Sequence, residues 1–286
     1  MKGLPPLSGL AIVNKPGGVT SHDVVQRIRK RLATRKVGHL GTLDPMATGV
    51  LPVSIGKATR LARFIPTAPK EYTGKIRLGW TTTTLDREGE QIGETARVDL
   101  NQEAVEQAMA SLTGSLDQMP PAYSAKKIDG VAAHRLARKG AAVELSPVSV
   151  EIFEFQLVSL DLPLVEFRVV CSGGTYIRSL TRDLGELVGT GAHLFSLCRT
   201  CSGPFRIEHA VPIENVAPDN LIPLEGLLLH LARIDVDNTG EEKVRHGLPV
   251  PSDKEASPVR IFNKIDELIA IAEIEKGWAH PKVVLI

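Results

Sequence analysis

A carboxylate that acts as a nucleophile has to be held in a fixed geometry, and Asp44 is the acid of this 286-residue chain whose neighbours suggest it. It stands in Gly38-His39-Leu40-Gly41-Thr42-Leu43-Asp44-Pro45-Met46-Ala47-Thr48-Gly49, where three glycines and a proline exclude a regular helix and predict an irregular, constrained loop. Pro45 pushes Asp44 toward an extended backbone. No other acid lies between Asp23 and Glu71. The paired carboxylates of a glycosidase, about 5 to 9 Å apart, and the clustered oxygen ligands of magnesium are therefore not supplied locally, although distant acids could fold close. A locally lone carboxylate suits a nucleophile, and it equally suits an Asp that holds a turn through backbone bonds.

Arg178 is the natural partner to test. With Thr175 as helix cap, its guanidinium falls in the first turn, where a cation opposes the helix dipole unless an anion faces it. Asp44 facing it would be oriented and kept ionised by a bidentate bond; otherwise Arg178 points into solvent. Tyr72 and Tyr176 are two of three tyrosines, each at the edge of a strand or turn. Their rings could stack on unpaired bases or pack in the core with a satisfied hydroxyl. His39 could be a turn residue or a nucleic-acid contact. Cys198 and Cys201 form a lone C-x-x-C, and His193, five residues before Cys198, matches no standard zinc spacing. Gly189-Thr190-Gly191 lacks the third glycine of a dinucleotide fingerprint and follows a helix, so it is set aside.

The elements that must position these groups follow from periodicity. Leu10 to Val13 reads as a buried strand, and Ser21 as the N-cap of a helix whose Val24, Val25, Ile28 and Leu32 recur at helical spacing. Val50 to Ile55 reads as a strand that Pro52 confines to an edge or a strand start. Lys57 to Ile65 reads as helix, Tyr72 to Leu78 as strand and Asn101 to Leu112 as helix. Ile152 to Val158 and Val165 to Cys171 read as strands, and Tyr176 to Val188 as helix. Residues 126 to 139 hold Lys126, Lys127, Arg135, Arg138 and Lys139 against the single acid Asp129 and read as an insertion projecting from the core. Past about residue 230, short apolar runs at Val259 to Phe262, Leu268 to Ile274 and Val283 to Ile286 predict a small β-rich module. Helices and strands interleave without a βαβ period, which predicts an α+β fold with a mixed sheet.

Composition bounds the partners. The net charge of +1 conceals an asymmetry: residues 1 to 90 carry fifteen Lys and Arg against six acids, a net +9, leaving −8 for the rest. A polyanionic partner for one face would explain it, as would pairing of the two halves with each other. Three cysteines build no disulfide framework. No stretch approaches a membrane span, and the N-terminus has no signal-like apolar run. The expectation is a cytoplasmic protein that uses no membrane.

Taken in order, these residues resemble the TruB family of tRNA pseudouridine synthases. The resemblance rests on Asn14-Lys15-Pro16-Gly17-Gly18-Val19-Thr20-Ser21-His22-Asp23-Val24-Val25, on Gly38-His39 through Asp44-Pro45 to Thr48-Gly49, on Lys70-Glu71-Tyr72, and on Gly173-Gly174-Thr175-Tyr176-Ile177-Arg178. Pro120-Pro121-Ala122-Tyr123-Ser124-Ala125-Lys126-Lys127 matches the start of the family's RNA-gripping insertion, about residues 118 to 148. The resemblance implies a mixed-sheet catalytic domain over residues 1 to 230 and a small β-barrel-like PUA-type module over 231 to 286. It further implies isomerisation of the T-arm uridine of tRNA, conventionally position 55. Asp44 would be the catalytic aspartate, Tyr72 would stack on the target base, and Arg178 would pair with the aspartate. His39 would meet the RNA where the base leaves its stack, and Tyr176 and Leu197 would line the uridine pocket. In Leu197-Cys198-Arg199-Thr200 the sequence departs from the family, where further basic residues are usual. No metal, nucleotide or redox cofactor is called for, and the expectation is a monomer without an obligatory protein partner. Two other readings stay open: a guide-RNA-dependent relative, which the lack of a long extra N-terminal segment disfavours, and a non-catalytic tRNA-binding or tRNA-folding protein.

Overall fold

Strand β1 (Gly9–Lys15) is buried at every residue except Asn14, a pattern that belongs inside a sheet covered on both faces. It pairs antiparallel with β3 (Thr48–Ile55) from Gly9 opposite Ile55 to Lys15 opposite Gly49. A computed structural model of the chain describes residues 7–122, 127–128, 131–132 and 145–286. Most of the predicted insertion, including its basic residues other than Lys127, lies outside them.

Helix α1 (Ser21–Arg31) follows β1, and β2 (Val37–His39) lies beside the far end of β3. Strand β4 (Lys70–Leu78) leads to a small hairpin of β5 (Thr81–Thr82) and β6 (Gln91–Ile92), then α2 (Gln102–Ser111) and β7 (Gly114–Gln118). A two-residue pair, β8 (Lys127–Ile128) and β9 (Val131–Ala132), precedes the long hairpin of β10 (Val148–Asp161) and β11 (Leu164–Cys171). Helix α3 (Ile177–Leu187), β12 (Ala192–Ser202) and β13 (Phe205–Arg206) complete this part. The large sheet runs β1-β3-β12-β4-β11-β10-β7, with β2 beside β3 and β13 beside β12. It is mixed: β12 runs parallel to β3, with Cys198 opposite Thr48 and Arg199 opposite Gly49.

Three local readings of the sequence are corrected. The N-cap of α1 is Thr20, not Ser21: the Thr20 hydroxyl accepts from Asp23 N and the Asp23 carboxylate accepts from Thr20 N, a reciprocal box. Lys57 to Ile65 forms two short 3-10 turns, Gly56–Arg60 and Ala62–Phe64, rather than one helix. Pro52 sits inside the sheet. Its partner Ile12 turns its polar groups to the opposite side, where its carbonyl accepts from Val211 N, so the ladder asks no N–H of residue 52. On its other side β3 passes from β12 to β2, and there Pro52 only accepts, from Leu40 N at 2.9 Å.

Past residue 230 the chain forms a separate five-stranded sheet that curls toward a half-barrel. It comprises β14 (Ala232–Asp235), β15 (Val250–Pro251), β16 (Val259–Phe262), β17 (Leu268–Glu275) and β18 (Trp278–Val284), in the order β14-β16-β17-β18-β15, and α4 (Asn238–Arg245) packs on it. One apolar cluster spans the two sheets: it holds Leu10, Ile12 and Val50 from the large sheet and Phe262, Leu268, Ile271 and Val283 from the small one, with Leu61, Phe205 and Leu227 among them. Arg60 donates to the carbonyl of Val284 across the same junction. Among the described residues no helix is long and apolar enough to cross a membrane.

Gly49 marks where β3 and β12 come closest. Its φ is +100°, and a Cβ there would stand 2.2 Å from the Arg199 carbonyl oxygen. Gly49→Ala is expected to lower the unfolding free energy by about 3 kcal/mol or more, from the left-handed backbone and the displaced strand together. Urea denaturation checks this, and a loss under about 1 kcal/mol would show that the strands part at little cost.

Candidate active site

The loop that carries Asp44 is pinned first by its apolar residues, since Leu43, Met46 and Ala47 are buried in the main core. Ser21, freed from capping, accepts from Leu43 N at 2.9 Å and donates to Leu43 O at 3.1 Å. Two fully buried cations then grip the loop by its carbonyls. Lys15 Nζ donates to Pro16 O, Val19 O and Pro45 O at 2.9, 2.8 and 3.1 Å. Arg199, on β12, donates from Nε to Val50 O at 2.7 Å, from Nη1 to Thr42 O at 3.3 Å and from Nη2 to Gly41 O at 3.2 Å. A charge taken out of water must be compensated by hydrogen bonds. Here backbone carbonyls do this on both sides of Asp44. Burial lowers the Lys15 ammonium to about 8, with Asp44 pulling the other way.

Arg178 reaches the loop from α3. Its Nε and Nη2 each donate to one oxygen of Asp44 at 2.9 Å, a bidentate bond that fixes the plane of the carboxylate. The same guanidinium donates from Nη1 to Thr84 O at 3.0 Å and lies 3.7 Å from a carboxylate oxygen of Asp86. Asp86 is itself buried and accepts from the Thr84 hydroxyl at 2.5 Å and from Glu88 N at 3.1 Å. The expected pairing of Asp44 with Arg178 is thus present, but the helix start differs from the expectation. Tyr176, in extended conformation, is the N-cap, and its N–H is satisfied by Gln118 Oε1 at 2.7 Å. The Thr175 hydroxyl turns back to Ser172 O instead.

A cleft of about 470 Å³ opens at this point, a size suited to a small ligand or one nucleotide. Its walls include Asp44, Lys70, Tyr72, Tyr176, Arg178 and Leu197. The fold therefore brings Asp44, Tyr72, Tyr176, Arg178 and Leu197 together. His39 stands apart from the cleft walls, half-buried at the end of β2, with Nδ1 buried and without a partner among the described residues. Burial, with Arg199 nearby, lowers its pKa and so favours the uncharged ring. Tyr72 is buried, which pushes its hydroxyl up to about 12 and keeps it protonated. Among the described residues no three His, Cys, Asp or Glu side chains gather as a metal ion would need. The side chain of Asp44 is 32% exposed while that of Arg178 is only 6% exposed, so the carboxylate meets the cleft and its counter-ion lies behind it. Such a carboxylate can attack an electrophilic carbon or take a proton from a group placed in the cleft.

Sequence reading missed Lys15, Arg199 and Asp86 as parts of this site. Lys15 stood in a turn-like Lys-Pro-Gly-Gly run and Arg199 in a segment assigned to no element, and neither hydrogen-bonds an acid that would have marked it. Asp86 carried only a weak signal, a Thr-x-Asp pattern after a strand. Lys15→Met keeps the length of the side chain and removes the donor to three carbonyls. Its unfolding free energy is expected to fall by about 2 to 3 kcal/mol, measured by urea denaturation. An unchanged midpoint would mean that water satisfies those carbonyls instead.

The likeness to known proteins covers nearly the whole chain. Residues 29–177 match the TruB family pseudouridylate synthase N-terminal domain, and residues 178–223 match the tRNA pseudouridylate synthase B C-terminal domain. The tRNA pseudouridine synthase B of Solibacter usitatus (strain Ellin6076) is 41% identical over 98% of this chain and 100% of its own. That of Thermobifida fusca (strain YX) is 42% identical over 96% and 98%. In the crystal structure of a Cbf5-Nop10-Gar1 complex, one chain superposes with a TM-score of 0.70 at 28% identity, covering 97% of this chain and 84% of that one. With sequence and fold agreeing over that span, this chain belongs to the TruB family of pseudouridylate synthases.

Proposed function

We propose that this protein isomerises a uridine to pseudouridine in the T loop of tRNA, at the conventional position 55, with Asp44 as the catalytic residue and without a cofactor. The observation that carries the reading is the Asp44 carboxylate, aimed into a nucleotide-sized cleft and held from behind by the bidentate Arg178. The target nucleotide must leave its stack for the glycosidic bond to be reached, at a cost of a few kcal/mol. Stacking on Tyr72 offsets part of that cost, with Tyr176 and Leu197 closing the uridine pocket and His39 meeting the RNA outside the cleft. The N1–C1′ bond then breaks, the uracil turns while held, and C5 bonds to C1′. The C5 proton is lost and N1 gains one, so the product is an isomer. That balance is the same whether the carboxylate adds to the base, adds to C1′ or removes a sugar proton. Residues 1–230 serve as the catalytic domain, and residues 231–286 as a PUA-like module that grips RNA.

A second reading follows from the solved relative, which sits in a complex with Nop10 and Gar1. In it, partner proteins and a guide would choose the uridine. One assay separates the two. A tRNA transcript tritiated at uridine C5 is incubated with protein alone, with no guide and no added metal. Wild type is expected to release tritium from one T-loop site. Asp44→Asn, which keeps the shape and removes the charge, is expected to release none while still binding tRNA. Arg178→Lys is expected to lose roughly 100-fold or more in kcat with little change in KM, because an ammonium cannot bond both carboxylate oxygens in plane. Release by Asp44→Asn within tenfold of wild type would remove Asp44 from the mechanism. Tight tRNA binding by wild type without any release would favour the guide-dependent reading.

A further inference from the structure

Lys70 and Tyr72 lie two residues apart on β4, so their side chains share one face of the strand about 6.5 Å apart, and both line the cleft. Glu71 between them points to the opposite face. There it accepts from Arg168 at 2.6 Å and from the Thr200 hydroxyl at 2.8 Å, so it does nothing for the charge of Lys70. Among the described residues no hydrogen bond or ion pair is formed by Lys70 Nζ. Asp44, the acid in the same cleft, already spends both oxygens on Arg178. Cys171, close to Lys70, has its thiol pushed up to about 11 by burial and is uncharged at neutral pH.

The neighbour of Lys70 is another cation. Lys70 Nζ and Arg199 Nη1 stand 3.4 and 3.8 Å from the point that a Cβ on Gly41 would occupy. Arg199 has backbone carbonyls and the neutral Tyr72 hydroxyl for partners, and no carboxylate. Two adjacent, mostly desolvated positive charges without a carboxylate are costly, and burial together with Arg199 lowers the pKa of Lys70 accordingly. That cost is relieved when an anion enters. Gly41, at φ +100°, leaves the room for it, since any side chain there would crowd the ammonium.

We infer that Lys70 is a phosphate-anchoring residue of the cleft, its ammonium taking an oxygen of a phosphodiester that adjoins the nucleotide stacked on Tyr72. The inference rests on the proposed reading that the cleft receives a flipped RNA nucleotide. Ring and charge on one strand face then hold one nucleotide at both ends, base and backbone. Lys70 thereby fixes how far the nucleotide descends toward Asp44.

The test removes the charge from each side of the contact. T-arm hairpin RNAs are made with the linkage 5′ or 3′ of the target uridine replaced by an uncharged methylphosphonate. Their affinities for wild type, Lys70→Met and Lys70→Arg are measured by fluorescence anisotropy, and tritium release from the unmodified hairpin is followed alongside. Wild type is expected to bind one of the two neutral-linkage RNAs roughly tenfold more weakly. Lys70→Met should show the same loss on the unmodified RNA and no further loss on that neutral one. Its slope of log affinity against log salt should be shallower by about 0.7, one phosphate contact fewer. Lys70→Arg should recover most of the affinity. If Lys70→Met loses equally on charged and neutral RNAs at both linkages, or binds as wild type does, the assignment is overturned. Absence of tritium release by wild type is a different result: it sinks the proposed function, while the affinity comparison still decides whether Lys70 meets a phosphate.

Discussion

A guanidinium withdrawn from water must find fixed acceptors, and at Arg178 this requirement ties together segments far apart in the chain. Its donors are shared between the Asp44 loop, the Thr84 carbonyl and the vicinity of Asp86, so α3, the β5–β6 hairpin and the β2–β3 loop must all arrive together. The apolar side of α3 supplies the force, through Leu180 and Leu184 against the sheet. A buried ion pair contributes little net stability against an apolar substitute. What it adds is specification, because only one placement of the loop satisfies the fork.

Much of this was legible from residues alone, for identifiable reasons. Strands β1, β4 and β11 and helices α1 and α2 follow hydrophobic periodicity, which is a local property. The pairing of Asp44 with Arg178 followed from asking what anion a cation in a first helical turn would face. That question survived the error over the cap, because the start at Tyr176 still puts Arg178 in the first turn. Lys15 and Arg199 stayed hidden because their partners are backbone carbonyls, which every residue has and no sequence pattern marks. Pro52 misled for a related reason: a proline forbids a donated bond, but only the pairing of both neighbouring strands reveals whether a donor was wanted.

The charge asymmetry between the chain's ends also changes meaning in three dimensions. Part of the basic excess of the first ninety residues is turned inward. Lys15 serves three carbonyls and the half-buried Arg29 donates to Val37 O, whereas Arg31 and Arg60 stay exposed while donating to Val216 O and Val284 O. Arg27, Lys30, Arg31, Arg35 and Lys36 are exposed along α1 and its exit. The exposed cations are the ones a polyanion can reach, and most of the excess stays available for Coulomb steering.

The apolar cluster shared by the two sheets bears on how such a chain can vary. Leu10 and Ile12 belong to the same apolar cluster as Phe262 and Ile271, and between β1 and the small sheet that cluster also takes in Phe205, Ile222 and Leu227, which share a cavity with Ile12. A tethered domain can be exchanged, lost or repositioned by altering its linker, but here removal would open the apolar cluster to which β1 belongs, the strand that braces β3 and, through it, the Asp44 loop. The C-terminal sheet and the cleft are thus one unit of inheritance, in which an apolar residue at the junction cannot change without touching the cluster that also holds β1.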